Sequence, residues 1–184
     1  MIGAAPSGID PLTQASVTIA WVIALNKPFY PLYVWYLVGD GVTASLGSLI
    51  AAPIFLAIPF IARRSSLAAR LALPLVGTLD TLFETKLFGP DSGTELFFAA
   101  CMLLVAVSFR AGERWWQRSA AVFVFVIFVF SRNWMGMPLY AWSSDDLQIL
   151  LNLNAFAVAS LTTFIALRYA GIVHATEPDA EDRR

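Results

Sequence analysis

Six long apolar segments alternate with short polar turns along the chain. We place the segments at residues 14–38, 43–62, 71–88, 94–109, 119–135 and 147–169. A helix needs roughly 20 apolar residues to cross a bilayer, which is close to the length of each segment. The pattern predicts an all-α polytopic membrane protein, a bundle of six transmembrane helices. Residues 1–13 form a predicted flexible lead-in, and residues 171–184 form a charged tail without a fold of its own.

Composition supports a membrane protein. The 184 residues are 58% hydrophobic and only 14% charged, and the mean hydropathy is +0.69. A soluble domain carries roughly 25% charged residues. The net charge of −1 argues against a nucleic-acid partner, which calls for a basic surface, so none is expected. The bilayer itself is therefore the first predicted partner.

The distribution of arginine predicts the orientation of the chain. Alternate turns contain the basic residues, and we place Arg63, Arg64, Arg70, Arg110, Arg114, Arg118 and Arg168 on one side. The other turns contain acidic residues, namely Asp40, Asp91, Asp145 and Asp146. Basic loops stay in the cytoplasm, so both termini are predicted to be cytoplasmic. We expect the bacterial inner membrane as the location.

The first apolar segment is interrupted near its middle. Lys27 and Pro28 follow Asn26, and Pro31 comes three residues later. A lysine near the bilayer centre costs about 3 kcal/mol, so it normally pairs, snorkels or faces a wet interior. Each proline removes a backbone donor. A kink is therefore predicted at this point.

Lys27 and Asp80 lie at similar depths, each about midway along its segment. We therefore hypothesise that they pair inside the bundle. Such a pair is either a proton or ligand site, or a structural ion pair that fixes the helix register. Lys27 snorkels instead if the first helix begins later than we place it.

Further polar side chains lie in the outer third of three segments. Glu84 is one helical turn after Asp80, Arg132 lies in the fifth segment, and Asn152 and Asn154 lie in the sixth. They either line one polar cavity that opens to the outside, or form a Glu84–Arg132 salt bridge and interhelical hydrogen bonds. Two asparagines that are two residues apart do not share a helix face, so at most one points into the cavity; we choose Asn152.

Aromatic residues crowd the outer half of the first segment. Tyr30, Tyr33 and Trp35 would supply a stacking surface for a ligand. The alternative is interface anchoring, which is common at the ends of membrane helices.

The sequence argues against an enzyme. His174, the only histidine, lies in the tail, and Cys101 is the only cysteine. A catalytic triad and a histidine-based haem or metal site are therefore not expected. No glycine-rich phosphate-binding loop is present. We predict no cofactor and no metal.

Four stretches carry a resemblance to known proteins. They are NKPFYPLYVW (26–35), ARRSSLAAR (62–70), LPLVGTLDTLFETKLFG (73–89) and SGTELF (92–97). In these the chain resembles the six-helix membrane anchors of bacterial class III adenylyl cyclases and, more faintly, the sensor halves of autoinducer-sensing histidine kinases. The resemblance implies signal reception and relay to a cytoplasmic domain. The chain ends at Arg184 without such a domain, so we expect either an anchor from a longer protein or a free-standing relative that works through a partner.

The leading hypothesis is a membrane sensor or receptor. A small hydrophobic or amphipathic ligand would bind in an outer-half pocket and bias the kink at Pro28, and a cytoplasmic signalling partner would read the change. We expect a homodimer. The alternatives are a small transporter or proton-coupled channel that uses Lys27, Asp80 and Glu84, and a structural subunit of a membrane complex. The predicted ligand-binding residues are Lys27, Tyr30, Tyr33, Trp35, Asp80, Glu84, Arg132 and Asn152.

Overall fold

The computed structural model describes residues 9–176, and their side chains up to residue 172. In that range the chain forms α-helices joined by short turns and 3₁₀ segments, and it contains no strand. The helices are α1 (Pro11–Asn26), α2 (Phe29–Leu37), α3 (Val42–Ser45), α4 (Ala52–Ala62), α5 (Ser66–Phe88), α6 (Phe97–Val107), α7 (Arg114–Trp134) and α8 (Ser144–Thr176). The all-α prediction is confirmed for these residues.

Three helical stretches are long and apolar enough to cross a membrane. They are Val42–Ala62, Ser66–Phe88 and Ser144–Ile172. A fourth candidate exists if Thr94–Val107 and Ala111–Trp134, which are bent by 117° at their junction, count as one span. The described part of the chain therefore has the character of a helical membrane protein.

The first apolar segment consists of two helices. Asp10 caps α1 through a hydrogen bond that its side chain accepts from the Thr13 backbone, and Pro11 occupies the first turn, where its missing N–H costs nothing. The helix thus begins three residues before the predicted segment. It ends at Asn26, and α2 begins at Phe29 after Lys27 and Pro28. The helix is therefore interrupted at the point where the kink was predicted.

Two other helices extend beyond the predicted segments. Helix α5 begins at Ser66, because the Ser65 side chain accepts a hydrogen bond from the Ala68 backbone. Arg70, predicted to lie in a loop, is therefore inside α5 and is buried. Helix α8 begins after Ser143, which exchanges hydrogen bonds with Asp146, and it continues to Thr176. The rest of the predicted tail, residues 177–184, lies outside the described residues, as do residues 1–8 of the lead-in.

Helix α5 occupies the centre of the bundle. It packs against α1, α4, α6 and α7, while α8 packs against α6, α1 and the turns on both sides of residue 93. The main apolar core lies between these helices and includes Ile19, Phe55, Leu73, Leu104 and Ile165. A polar side chain on the inward face of α5 is consequently surrounded by protein.

The two ends of α5 meet different neighbours. We call the C-terminal end of α5 the Gly89 end. There, Gly41 (φ 68°) and Gly93 (φ 78°) bring the chain close to Trp142 and Leu151. A Cβ on either glycine would lie within 3 Å of those side chains. At its start, which we call the Arg70 end, Arg70 meets Asp10 and Glu113.

Candidate functional site

Lys27 binds two carboxylates inside the bundle. Its Nζ lies 2.5 Å from Asp80 Oδ2 and 2.6 Å from Glu84 Oε1. The three side chains, which we call the Lys27 site, are only 8–12% exposed. The predicted Lys27–Asp80 contact is confirmed, and Lys27 does not snorkel.

The local backbone explains this arrangement. Asp80 and Glu84 are one turn apart on α5 and therefore present their carboxylates along one face. Lys27 follows the last residue of α1, and Pro28 has no backbone donor to continue the helix. The ion group thus holds the break between α1 and α2 against the central helix.

Three buried polar atoms beside the Lys27 site have no hydrogen-bond partner. They are the Tyr30 hydroxyl, Asp80 Oδ1 and Asn154 Oδ1. The Tyr30 hydroxyl lies next to Glu84 and to Asn154. Asn154 is fully buried and uses its amide nitrogen on the Ser92 carbonyl, at 2.8 Å. Unpaired buried polar atoms are uncommon, because each forfeits its hydration.

Aromatic rings cover the Lys27 site at the Gly89 end. Tyr30 meets Phe88 edge-on, and Phe88 stacks on Trp142, with ring centroids 5.3 and 5.5 Å apart. The indole Nε1 of Trp142 is buried and also lacks a partner. Lys86 donates hydrogen bonds to the carbonyls of Met135 and Met137, which fastens the segment at residues 135–143 over this end.

Arg132 does not belong to the Lys27 site. It binds Glu95 Oε2 at 2.8 Å, and Ser131 binds the other oxygen of Glu95 at 2.8 Å. The predicted Glu84–Arg132 bridge is therefore wrong, because Glu84 is held by Lys27. The sequence analysis missed Glu95, which is 8% exposed and precedes α6. Its position in an apolar segment was the signal that could have identified it.

Three other predicted ligand residues face away from the Lys27 site. Asn152 is exposed while Asn154 is buried, so the choice between the two asparagines was wrong. Tyr33 and Trp35 are 43% and 64% exposed, because α2 turns Tyr30 and Val34 inward instead. Of the eight predicted ligand residues, the structure brings together Lys27, Tyr30, Asp80 and Glu84.

A second ionic group occupies the Arg70 end. Arg70, which is 1% exposed, binds Asp10 at 3.0 Å and also binds Glu113. Arg110 binds the same Asp10 oxygen at 3.2 Å, and its backbone donates to Glu113. We call these four residues the Arg70 network. It was missed because Arg70 follows a cluster of polar residues that is typical of a loop.

The Arg70 network favours the charged form of Asp10. Partial burial alone would raise the pKa of this carboxyl group. The hydrogen bonds from Thr13 and the positive charges of Arg70 and Arg110 outweigh burial and lower the pKa to about 2. Asp10 therefore remains ionised at any physiological pH.

A cluster of three hydroxyl groups links α8 to the Arg70 end of the bundle. The Tyr169 hydroxyl lies 2.9 Å from Ser16 Oγ and 2.8 Å from Ser108 Oγ, all three buried. Helix α8 thus places Asn154 next to Tyr30, which adjoins the Lys27 site, and places Tyr169 near the Arg70 network.

Two pockets open beside the Gly89 end. One of about 480 Å³ is lined by Pro90, Asp91, Ser144, Leu147, Gln148 and Leu151. It lies one turn of α8 away from Asn154. The other, about 320 Å³, is an apolar groove between α6 and α7 with Glu95 at its edge. Within residues 9–176 no group of three His, Cys, Asp or Glu side chains is placed to hold a metal ion.

Comparison with protein-family models, with curated proteins and with solved structures finds no match for this chain. The resemblance to cyclase anchors and sensor kinases consequently remains a prediction from sequence. The functional argument rests on the geometry of the Lys27 site.

Proposed function

We propose that this protein is an integral membrane sensor or receptor module whose receiving site is the Lys27 site. A small hydrophobic or amphipathic ligand would place its polar end against the Lys27 site and its apolar part among the rings of Tyr30, Phe88 and Trp142. The single observation that carries the proposal is that unpartnered polar atoms cluster on Tyr30, Asp80, Asn154 and Trp142, whereas the other two such atoms among the described residues are Arg70 Nε and Arg168 Nε. A ligand that supplies their hydrogen bonds would be bound specifically.

The break between α1 and α2 is the element that such a ligand would bias. Lys27 is part of both the break and the ion group. A ligand that competes for Asp80 or Glu84 changes the restraint on the break, and a switch requires such differential affinity for two states. Helix α8 would pass the change to a cytoplasmic partner, because it contains Asn154, which lies next to Tyr30, and Tyr169, which bonds to Ser16 and Ser108.

In the proposed arrangement the chain crosses the bacterial inner membrane six times, as a homodimer with both termini in the cytoplasm. The Arg70 end would then be cytoplasmic, because Arg63, Arg64, Arg110 and Arg114 lie there, and the Gly89 end would be outside. The first span would be α1 with α2, and α6 and α7 would cross separately.

Native mass spectrometry of the protein extracted gently with its lipids tests the proposal. A defined small adduct should be present on the wild-type chain and lost in Lys27→Met, while the exposed-site control Arg64→Met should retain it. An adduct of equal occupancy in both variants would contradict the assignment. A bare wild-type protein that moves protons across liposomes, and stops when Asp80 is replaced by Asn, would instead favour the transporter alternative.

A further inference from the structure

The Lys27 site carries an unbalanced charge. Two carboxylates face one ammonium, which leaves one excess negative charge in a site that is about nine-tenths buried. The titratable groups facing Asp80 are Lys27 from the helix break, Glu84 from its own helix and Cys101 from α6. Helices α3 and α4, which also pack against α5, contain no charged residue. Helix α7 also packs against α5, but its Arg132 binds Glu95, and Arg70 of α5 binds Asp10 and Glu113, so neither of these described arginines offsets the excess charge.

We propose that the Lys27 site binds one proton, on Asp80, and that this proton enters from the Gly89 end. Lys27 Nζ already occupies the position between the carboxylates that a metal ion or an amine would need. A proton is the cation that fits without displacing it. Asp80 Oδ1 is the free oxygen, buried and unpartnered. Adding H⁺ there converts the carboxylate to a neutral acid and leaves Lys27 paired with Glu84, and a neutral group costs far less to bury than an unpaired charge.

A buried row of polar groups connects the Lys27 site to the Gly89 end. Tyr30 faces Glu84 and Asn154, and Asn154 donates to the Ser92 carbonyl. The Ser92 hydroxyl lies 3.1 Å from Thr94 Oγ1, beside the turn that begins the 480 Å³ pocket. The unpartnered Tyr30 hydroxyl and Asn154 Oδ1 are suited to a bridging water, which needs two to four polar partners. Such a water would pass the proton to Glu84, and Glu84 would pass it on to Asp80, since both carboxylates lie on Lys27 Nζ.

The opposite direction is apolar. Between Asp80 and Arg70 the inward side chains of the bundle belong to the main core, with Ile19, Ala20, Leu73 and Leu104 all at most 2% exposed. The buried hydroxyl of Thr78 already donates to the Pro74 carbonyl, and the hydroxyl groups of Ser16, Ser108 and Tyr169 bond to one another at the Arg70 end. The Lys27 site therefore exchanges protons with the Gly89 end and not with the Arg70 end.

This inference deepens the proposed function, on which it rests for the role of the site, because it names the proton as a ligand. Infrared difference spectroscopy of the full chain in liposomes tests it directly, since a protonated carboxyl group has a C=O stretch that a carboxylate lacks. Lowering the pH from about 8 to about 5 should produce one such band. Asp80→Asn and Glu84→Gln should each abolish it, because either change balances the charge of the site. Asp10→Asn is the matched control and should keep the band, because the pKa of Asp10 is about 2.

The entry route has its own test. Replacing H₂O by D₂O shifts the band at the rate at which the buried proton exchanges. Tyr30→Phe removes only the hydroxyl and should slow this exchange about tenfold, and Asn154→Leu should slow it similarly, whereas the exposed controls Tyr33→Phe and Asn152→Leu should not. Equal exchange rates in all four variants would overturn the route.

The experiments can contradict proton binding and the proposed receptor function independently of each other. A band that persists in either Asp80→Asn or Glu84→Gln, or that never appears, overturns proton binding even if a small adduct is lost in Lys27→Met. The alternative outcome is that the band is lost in both variants while the small adduct stays equally occupied in the wild type and in Lys27→Met. That result supports proton binding and contradicts the assignment of the Lys27 site as a receptor for small molecules.

Discussion

The Lys27 site and the Arg70 network each contain a buried cation, yet their charges are arranged differently. The Arg70 network has two arginines for two carboxylates and is neutral. The Lys27 site has one lysine for two carboxylates and is surrounded by unpartnered oxygens. A balanced group serves the fold, since each charge has its partner. An ionic group with excess charge would be stabilised by binding a further ligand of opposite charge. The difference supports our proposal that the Lys27 site, and not the Arg70 network, is the functional site.

The largest expected effect on stability comes from a substitution that disrupts the Arg70 network. Arg70→Met leaves Asp10 and Glu113 without their buried cation, and losing one partner of a buried ion pair costs about 3–5 kcal/mol of the free energy of unfolding. Thermal unfolding in detergent should show a strong drop in the midpoint. The exposed Arg64→Met variant is the control and should unfold like the wild type. Arg70→Met with an unchanged midpoint would mean that the network does not hold the fold.

Lys27→Met comes next. It leaves two buried carboxylates on one face of α5, and their repulsion should lower the unfolding midpoint at neutral pH. The double variant Lys27→Met/Asp80→Asn should recover much of this loss, because one of the two charges is gone. Without such recovery, the destabilisation comes from the packing of the Lys27 stem and not from charge.

The same chemical change should have opposite consequences in the two groups. Asp10→Asn removes a needed charge and should destabilise the protein by about 1 kcal/mol, because asparagine still caps α1 but no longer attracts Arg70 and Arg110. Asp80→Asn removes an excess charge and should leave the unfolding midpoint unchanged or raise it. The unfolding midpoints of Asp10→Asn and Asp80→Asn should be measured in parallel at neutral pH. Destabilisation of equal size in the two variants would contradict the proposed difference between the Arg70 network and the Lys27 site.

The smallest effect is a pH dependence. The pKa of Asp10 is lowered in the folded protein to about 2, whereas an unperturbed aspartate titrates near 3.9. Its contribution to stability is therefore complete above about pH 4 and is lost as the pH falls towards 2. Acid titration of the unfolding midpoint should show a smaller decline in Asp10→Asn than in the wild type over this window. Identical curves would assign the acid sensitivity to other groups.

The features that the sequence predicted best depend on position along the chain. The all-α fold follows from apolar length, the break from Pro28, and the Lys27–Asp80 contact from matching depth. Depth along a helix is readable because each residue advances it by a fixed rise of about 1.5 Å.

The errors concern rotation around the helix axis. Asn152 was chosen over Asn154, and Arg132 was placed with Glu84 instead of Glu95. In a membrane protein the lipid-facing and core-facing sides of a helix are both apolar, so the periodicity that reveals the buried face of a soluble helix is weak. Arg70 was misplaced for a related reason, since a buried arginine without its distant partners looks like part of a polar loop.

The length of α8 has a mechanical consequence. At about 1.5 Å per residue its 33 residues make a rod of about 50 Å, against a hydrocarbon core of about 30 Å. Asn154 and Tyr169 are 15 residues apart on it, which places them about 22 Å apart and about 60° apart around its axis. Because a continuous helix resists twisting, a small rotation of α8 at Asn154 would produce a similar rotation at Tyr169. A rotation of α8 that is too small to open the bundle would thus still be transmitted from the depth of Asn154 to the depth of Tyr169.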